Sequence, residues 1–131
     1  NDPASVRFDE HFVGWGMEDI ELGYRLCRSG FEVRVERTAS ALHVESPRPR
    51  DPFVCEDRGL TPTYDSYVRN TVQFLDKYPD DARLEEVLAN DLRWFVRDAA
   101  GRHWVKNGFE NDPGAVIEAV RLEMASRRED L

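Results

Sequence analysis

Hydrophobic positions along the chain change period several times, and the changes divide it. From Glu18 the spacing is helical: Ile20, Gly23, Tyr24 and Cys27 fall on one face, with Leu22 and Leu26 beside them. Glu18, Asp19 and Glu21 fill the first turn and Arg25 and Arg28 lie near the other end. Acid first and base last complement the helix dipole, and Gly30 supplies the left-handed residue that closes a helix. These signals predict a helix over 18–29 with Cys27 facing the core. Phe31, Val33 and Val35 then alternate with Glu32, Arg34 and Glu36, the period of a half-buried strand. Thr38 to Glu45 reads as a second extended run. Pro47, Pro49, Pro52 and Pro62 make residues 46–62 a long irregular loop, because proline continues neither a helix nor a central strand.

The remainder predicts three amphipathic helices. Tyr64, Tyr67, Val68, Thr71, Phe74, Leu75 and Tyr78 follow the i, i+3, i+4, i+7 template, with Thr63 as N-cap and Pro79 as stop. A second stripe begins near Asp81 and runs through Leu84, Val87, Leu88, Leu92 and Phe95, ending before Gly101. The third helix takes Asp112 as N-cap and Pro113 at its first position, with Val116, Ile117, Val120 and Met124 inward. The fold class expected is therefore α/β over residues 1–62, followed by a helical extension over 63–131, and helix-dominated overall.

Charge and composition narrow what such a chain does. Eighteen basic against 26 acidic side chains give a net charge of −8, a field that repels phosphate backbones and makes nucleic acid an unexpected partner. No apolar run approaches the roughly 20 residues of a transmembrane helix. Cys27 and Cys55 are too few for a disulfide scaffold, so free thiols and a cytoplasmic location are expected. Although 131 residues suffice for one domain, the chain opens Asn1-Asp2-Pro3 without an initiator Met, and its densest motif falls within the first twenty or so positions. A piece of a longer catalytic domain is expected on that ground.

That motif carries the candidate chemistry. In Gly14-Trp15-Gly16-Met17-Glu18-Asp19 an aromatic between two glycines leads into a helix whose first residues are carboxylates. Glycines permit close backbone approach, the indole offers a flat apolar face to the CH face of a sugar ring, and carboxylates accept hydroxyl protons. Together they read as a carbohydrate site.

The longer run, Phe8-Asp9-Glu10, Phe12, Gly14-Trp15-Gly16, Glu18-Asp19, Glu21-Leu22-Gly23-Tyr24-Arg25-Leu26, then Gly30-Phe31 and His43, resembles the acceptor-side signature of GT-A-fold glycosyltransferases. The likeness is to family 2 and, through Trp-Gly-x-Glu-Asp, to the β-1,4-galactosyltransferases, and it covers roughly residues 1–50. What it implies is an inverting transfer of a sugar from a nucleotide diphosphate sugar to an acceptor hydroxyl. Asp19 would be the catalytic base, Glu18, Trp15 and Gly16 the acceptor contacts, and His43 a ligand to Mn²⁺ or Mg²⁺. Metal-dependent members complete that ion site with an Asp-x-Asp motif, which this chain lacks together with the nucleotide-binding half. The missing N-terminal half of the domain is thus an expected partner, and the isolated chain is expected to be inactive. Loop length and charge add Arg48 and Arg50 as contacts to the donor diphosphate.

A rival reading makes the chain a non-catalytic helical interaction or oligomerisation module, for which a homodimer is expected. His11 and His103 are read as structural or solvent-facing.

Overall fold

Helix α1 (Glu18–Arg28) starts on the acidic turn and ends where glycine predicts. Gly30 has φ +88° and donates to the Cys27 carbonyl at 3.0 Å, while Phe31 donates to Leu26 at 3.0 Å, so the last carbonyls of the helix are satisfied by a Schellman closure. The structure is a computed structural model that describes residues 6–42 and 63–129. Within these the chain continues as α2 (Asp65–Lys77), α3 (Ala82–Leu92), β1 (Phe95–Arg97), β2 (Trp104–Lys106) and α4 (Pro113–Glu129). Two of the starts follow their capping residues. The Asp81 carboxylate accepts from Leu84 N at 3.0 Å, and that of Asp112 accepts from Gly114 N at 2.9 Å, one residue beyond Pro113.

Four expectations are corrected. Thr63 does not cap α2, whose N-cap is Tyr64 with no side-chain bond; the Tyr64 amide donates instead to the Trp104 carbonyl at 2.8 Å. The apolar stripe assigned to one helix through Phe95 breaks after Leu92, and Phe95 opens a two-stranded antiparallel hairpin in which Phe95 pairs with Lys106, Val96 with Val105 and Arg97 with Trp104. The alternating segment Phe31–Glu36 is not a strand. Among the described residues it pairs with no other segment, and Val33 and Val35 are exposed, so alternation there has neither ladder nor core to satisfy. Cys27 is exposed rather than buried, because α1 turns a different face inward: Met17 just before it, then Glu21 and Arg25.

Among the described residues a hydrophobic cluster joins the N-terminal segment to the elements after residue 63. Val68, Val72 and Phe74 of α2 pack with Leu88 and Leu92 of α3, Phe95 and Trp104 of the hairpin, and Val116, Ile117 and Val120 of α4, while Phe12 and Met17 enter from the N-terminal side. Rings continue the contact, with Phe12 edge-on to Phe74 at 6.4 Å and Tyr24 edge-on to Phe74 at 5.4 Å. No helix among the described residues is long and apolar enough to cross a membrane.

Candidate functional site

The loop that carries Trp15 is shaped by its approach to α2. Gly14, Gly16 and Met17 all take positive φ (+87°, +100° and +73°), which turns the chain sharply into α1. A Cβ on Gly16 would lie 2.7 Å from the Tyr67 ring, and one on Gly14 would overlap Ser66. The close approach these glycines permit is therefore to α2. Two side chains of that helix hold the loop from below: Arg69 donates to the Val13 carbonyl, and buried Asn70 donates to the Gly16 carbonyl at 2.9 Å. Gly16→Ala is expected to lose about 1–3 kcal/mol, from left-handed strain and from the clash with Tyr67. Gly30→Ala, with similar φ but open space around it, should lose less; thermal denaturation of the two variants side by side checks the order.

Trp15 lies over this scaffold with 43% of its surface exposed. Its ring tilts against Tyr67 at 5.3 Å and Tyr64 at 6.3 Å, leaving indole surface open to solvent. Three positions on, Glu18 and Asp19 open α1. Asp19 is exposed and one of its oxygens accepts from the Ile20 amide at 2.8 Å. Glu18 is partly buried, and its Oε2 is enclosed without a hydrogen-bond partner among the described residues. Trp15, Gly16, Glu18 and Asp19 are thus brought together at one loop-to-helix junction. His43, Arg48 and Arg50 lie outside the described residues.

Beneath the junction is a buried charge network that the sequence pattern does not reveal. Glu21 is fully buried and accepts from Lys77 Nζ at 2.6 Å, Tyr78 OH at 2.7 Å and Arg25 Nε at 3.1 Å. Lys77 also reaches Asp9 at 2.6 Å, whose other oxygen takes the His11 amide and ring nitrogen, and Arg25 donates to the Arg7 carbonyl at 2.6 Å. Two carboxylates and two cations bind the first strip of chain, α1 and the end of α2 to each other. Burial pushes the Glu21 and Asp9 carboxyls up, but the hydrogen bonds and charge of their cationic neighbours outweigh it, and both are held below the usual carboxylate range. The same burial, with the Glu21 charge, pushes the Tyr78 phenol up. Two signals were legible for this network: Glu21 and Arg25 stand four apart on one helix face, and Asp9 falls inside the motif.

Among the described residues no three His, Cys, Asp or Glu side chains converge as they would at a metal site built from protein ligands alone. His11 bonds Asp9, and His103 bonds Asp65 at 2.7 Å.

Comparison with known proteins adds a family context. Residues 8–46 match the family described as the N-terminal domain of galactosyltransferase. The chain is 36% identical over 89 residues to validoxylamine A glucosyltransferase of Streptomyces hygroscopicus subsp. jinggangensis, a stretch covering 68% of this chain and 17% of that protein. The corresponding protein of subsp. limoneus is also 36% identical over 89 residues, with 16% of its length covered. Chondroitin synthase of Escherichia coli is 52% identical over 40 residues, 30% of this chain and 6% of that protein. These similarities support a glycosyltransferase family. No solved structure matches the chain significantly. The chain spans 17% or less of the length of these relatives. The matched segment 8–46 holds Trp15, Gly16, Glu18, Asp19 and His43, and equally Asp9, Glu21 and Arg25, whereas Lys77 and Tyr78 lie outside it.

Proposed function

We propose that this chain supplies the acceptor-binding and catalytic-base part of an inverting, hexosyl-transferring glycosyltransferase of GT-A fold, acting in the cytoplasm. Residues 1–62 belong to its catalytic domain and 63–131 form a helical extension. The observation that carries the reading is the pairing of an exposed carboxylate, Asp19, with a half-exposed indole, Trp15, at one rigidly held helix start. The acceptor ring stacks on Trp15, and Glu18 contacts one of its hydroxyls. Asp19 takes the proton of the attacking hydroxyl as its oxygen bonds to the anomeric carbon of the donor. The bond from that carbon to the diphosphate breaks with its electron pair leaving on the nucleotide diphosphate, and the configuration inverts.

The donor site belongs to protein outside this chain, with Arg48 and Arg50 contributing contacts to the diphosphate. Together with carboxylates from that region, His43 would hold Mn²⁺ or Mg²⁺, which supplies charge neutralisation on the leaving group. Isolated, the chain binds acceptor without turning it over. Trp15→Ala in the intact protein is expected to raise the acceptor KM about tenfold or more through lost stacking, with kcat changed less and the fold retained. Initial-rate kinetics with varied acceptor check this, and an unchanged KM removes Trp15 from the site.

One observation favours a second reading. Phe31, Val33, Val35 and Leu42 are exposed by 49%, 61%, 93% and 87%, a run of apolar side chains suited to cover by another polypeptide. On that reading the chain is an interaction module and forms a homodimer, and sedimentation equilibrium showing only monomer at micromolar concentration excludes the dimer.

A further inference from the structure

A cavity of about 420 Å³ opens between the first turns of α2, the β-hairpin and the last turns of α4. Its walls bear four guanidinium groups, Arg69, Arg97, Arg102 and Arg127, against two carboxylates, Asp65 and Glu123. In a chain of net charge −8 this is a local excess of two positive charges. Both carboxylates are already engaged. Asp65 accepts from the Trp104 amide and the His103 ring, each at 2.7 Å, and Glu123 pairs with Arg97.

Arg97 is fixed by register. Its cross-strand partner is Trp104, and its guanidinium lies 4.2 Å from the indole centroid while donating to the Arg102 carbonyl at 3.0 Å. The guanidiniums of Arg102 and Arg127, both on exposed residues, form no ion pair among the described residues; Asp98 accepts from the Arg102 amide at 2.8 Å and acts on its guanidinium as a nearby charge. Burial pushes the Arg69 and Arg97 guanidiniums below their usual range; the charge of Arg127 adds to this, while Asp65 opposes it at both and Asp98 at Arg97. An arriving oxyanion relieves the repulsion from Arg127 and takes planar, charge-assisted hydrogen bonds from the two free forks.

The size of the cavity selects the rest of the ligand. It falls within the range of small-molecule sites, roughly 300–1,000 Å³, and is far larger than a bare phosphate needs. We propose that this groove, which shares only Arg69 with the support of the Trp15 loop, is a second ligand site for a sugar-sized, hydroxyl-bearing molecule that carries an oxyanion. Phosphate and carboxylate share the required chemistry.

Isothermal titration of the full chain with glucose 6-phosphate, glucuronate, glucose and inorganic phosphate tests it. Expected is binding of glucose 6-phosphate or of glucuronate, whichever oxyanion the groove takes, with no heat from glucose and weaker binding of inorganic phosphate. Added salt should weaken the interaction. Arg102→Ala combined with Arg127→Ala should weaken it at least about tenfold, since two charge-assisted contacts are lost, while circular dichroism shows the fold unchanged. Equal affinity for glucose, equal affinity for inorganic phosphate, no binding of either acidic sugar at millimolar concentration, or an unaffected double variant would each overturn the assignment. Neither arginine belongs to the Trp15 and Asp19 junction, so loss of sugar transfer in the intact protein and loss of this binding are separable results.

Discussion

Replacing Glu21 with alanine is expected to lower folding stability by about 3–5 kcal/mol, the usual loss when one member of a buried ionic network is removed. The carboxylate is completely enclosed and satisfies three donors at once. Without it Arg25, only 9% exposed, loses its buried counter-charge, and Lys77 loses one of its two. Lys77 retains Asp9 and Arg25 retains the Arg7 carbonyl, which places the expected loss toward the lower end of that range. A urea midpoint shift at unchanged slope measures it. Glu21→Leu with Arg25→Met, which removes both charges and keeps the volume filled, should lose less than Glu21→Ala alone. A double variant as unstable as the single one would show that the loss in Glu21→Ala does not come from leaving Arg25 without its counter-charge.

Acid should act through the same side chains. Asp9 and Glu21 have folded pKa values below their unfolded ones, so their contribution to stability is complete above the ordinary carboxylate values of about 4 and is lost as pH falls through the lowered folded values. Glu21→Gln should therefore lose less stability on acidification than the parent chain.

What the sequence disclosed and what it hid divide along a physical line. Helix ends were legible wherever a local residue enforces them: Gly30 at the close of α1, Pro79 after α2, and Asp112 with Pro113 at the start of α4. The hairpin was not legible, because three-residue strands are too short to display a period of two, and Phe95 happened to continue the helical spacing of Leu88 and Leu92. The inward face of α1 was misjudged for a different reason. Pattern reasoning sends charge outward, and it placed Ile20 and Cys27 in the core, whereas the helix buries Glu21 and Arg25 because Lys77 and Tyr78 arrive from α2 to pair with Glu21. Partners more than fifty positions away leave no local trace. At the candidate site, the sequence drew Trp15, Gly16, Glu18 and Asp19 to one junction, since they are neighbours in the chain. The second use of the glycines, making room for Ser66 and Tyr67, depends on a contact across the fold and was hidden.

Asp19→Asn carries the largest expected effect on activity. Its carboxylate is exposed and bonds only the adjacent Ile20 amide among the described residues, so the substitution leaves the junction in place and disturbs the helix start by no more than about 1 kcal/mol. The amide cannot accept the proton of an attacking hydroxyl, and loss of a positioned general base slows the chemical step about 10²–10⁴-fold. Acceptor affinity should stay close to that of the parent, because Trp15 and Glu18 remain.

Sugar transfer by the intact protein, measured as initial rate with saturating nucleotide diphosphate sugar and acceptor for the parent and for Asp19→Asn, is the direct test. The account predicts a collapse of kcat with acceptor KM and circular dichroism spectrum retained. Transfer at the parental rate in a folded Asp19→Asn protein would contradict it.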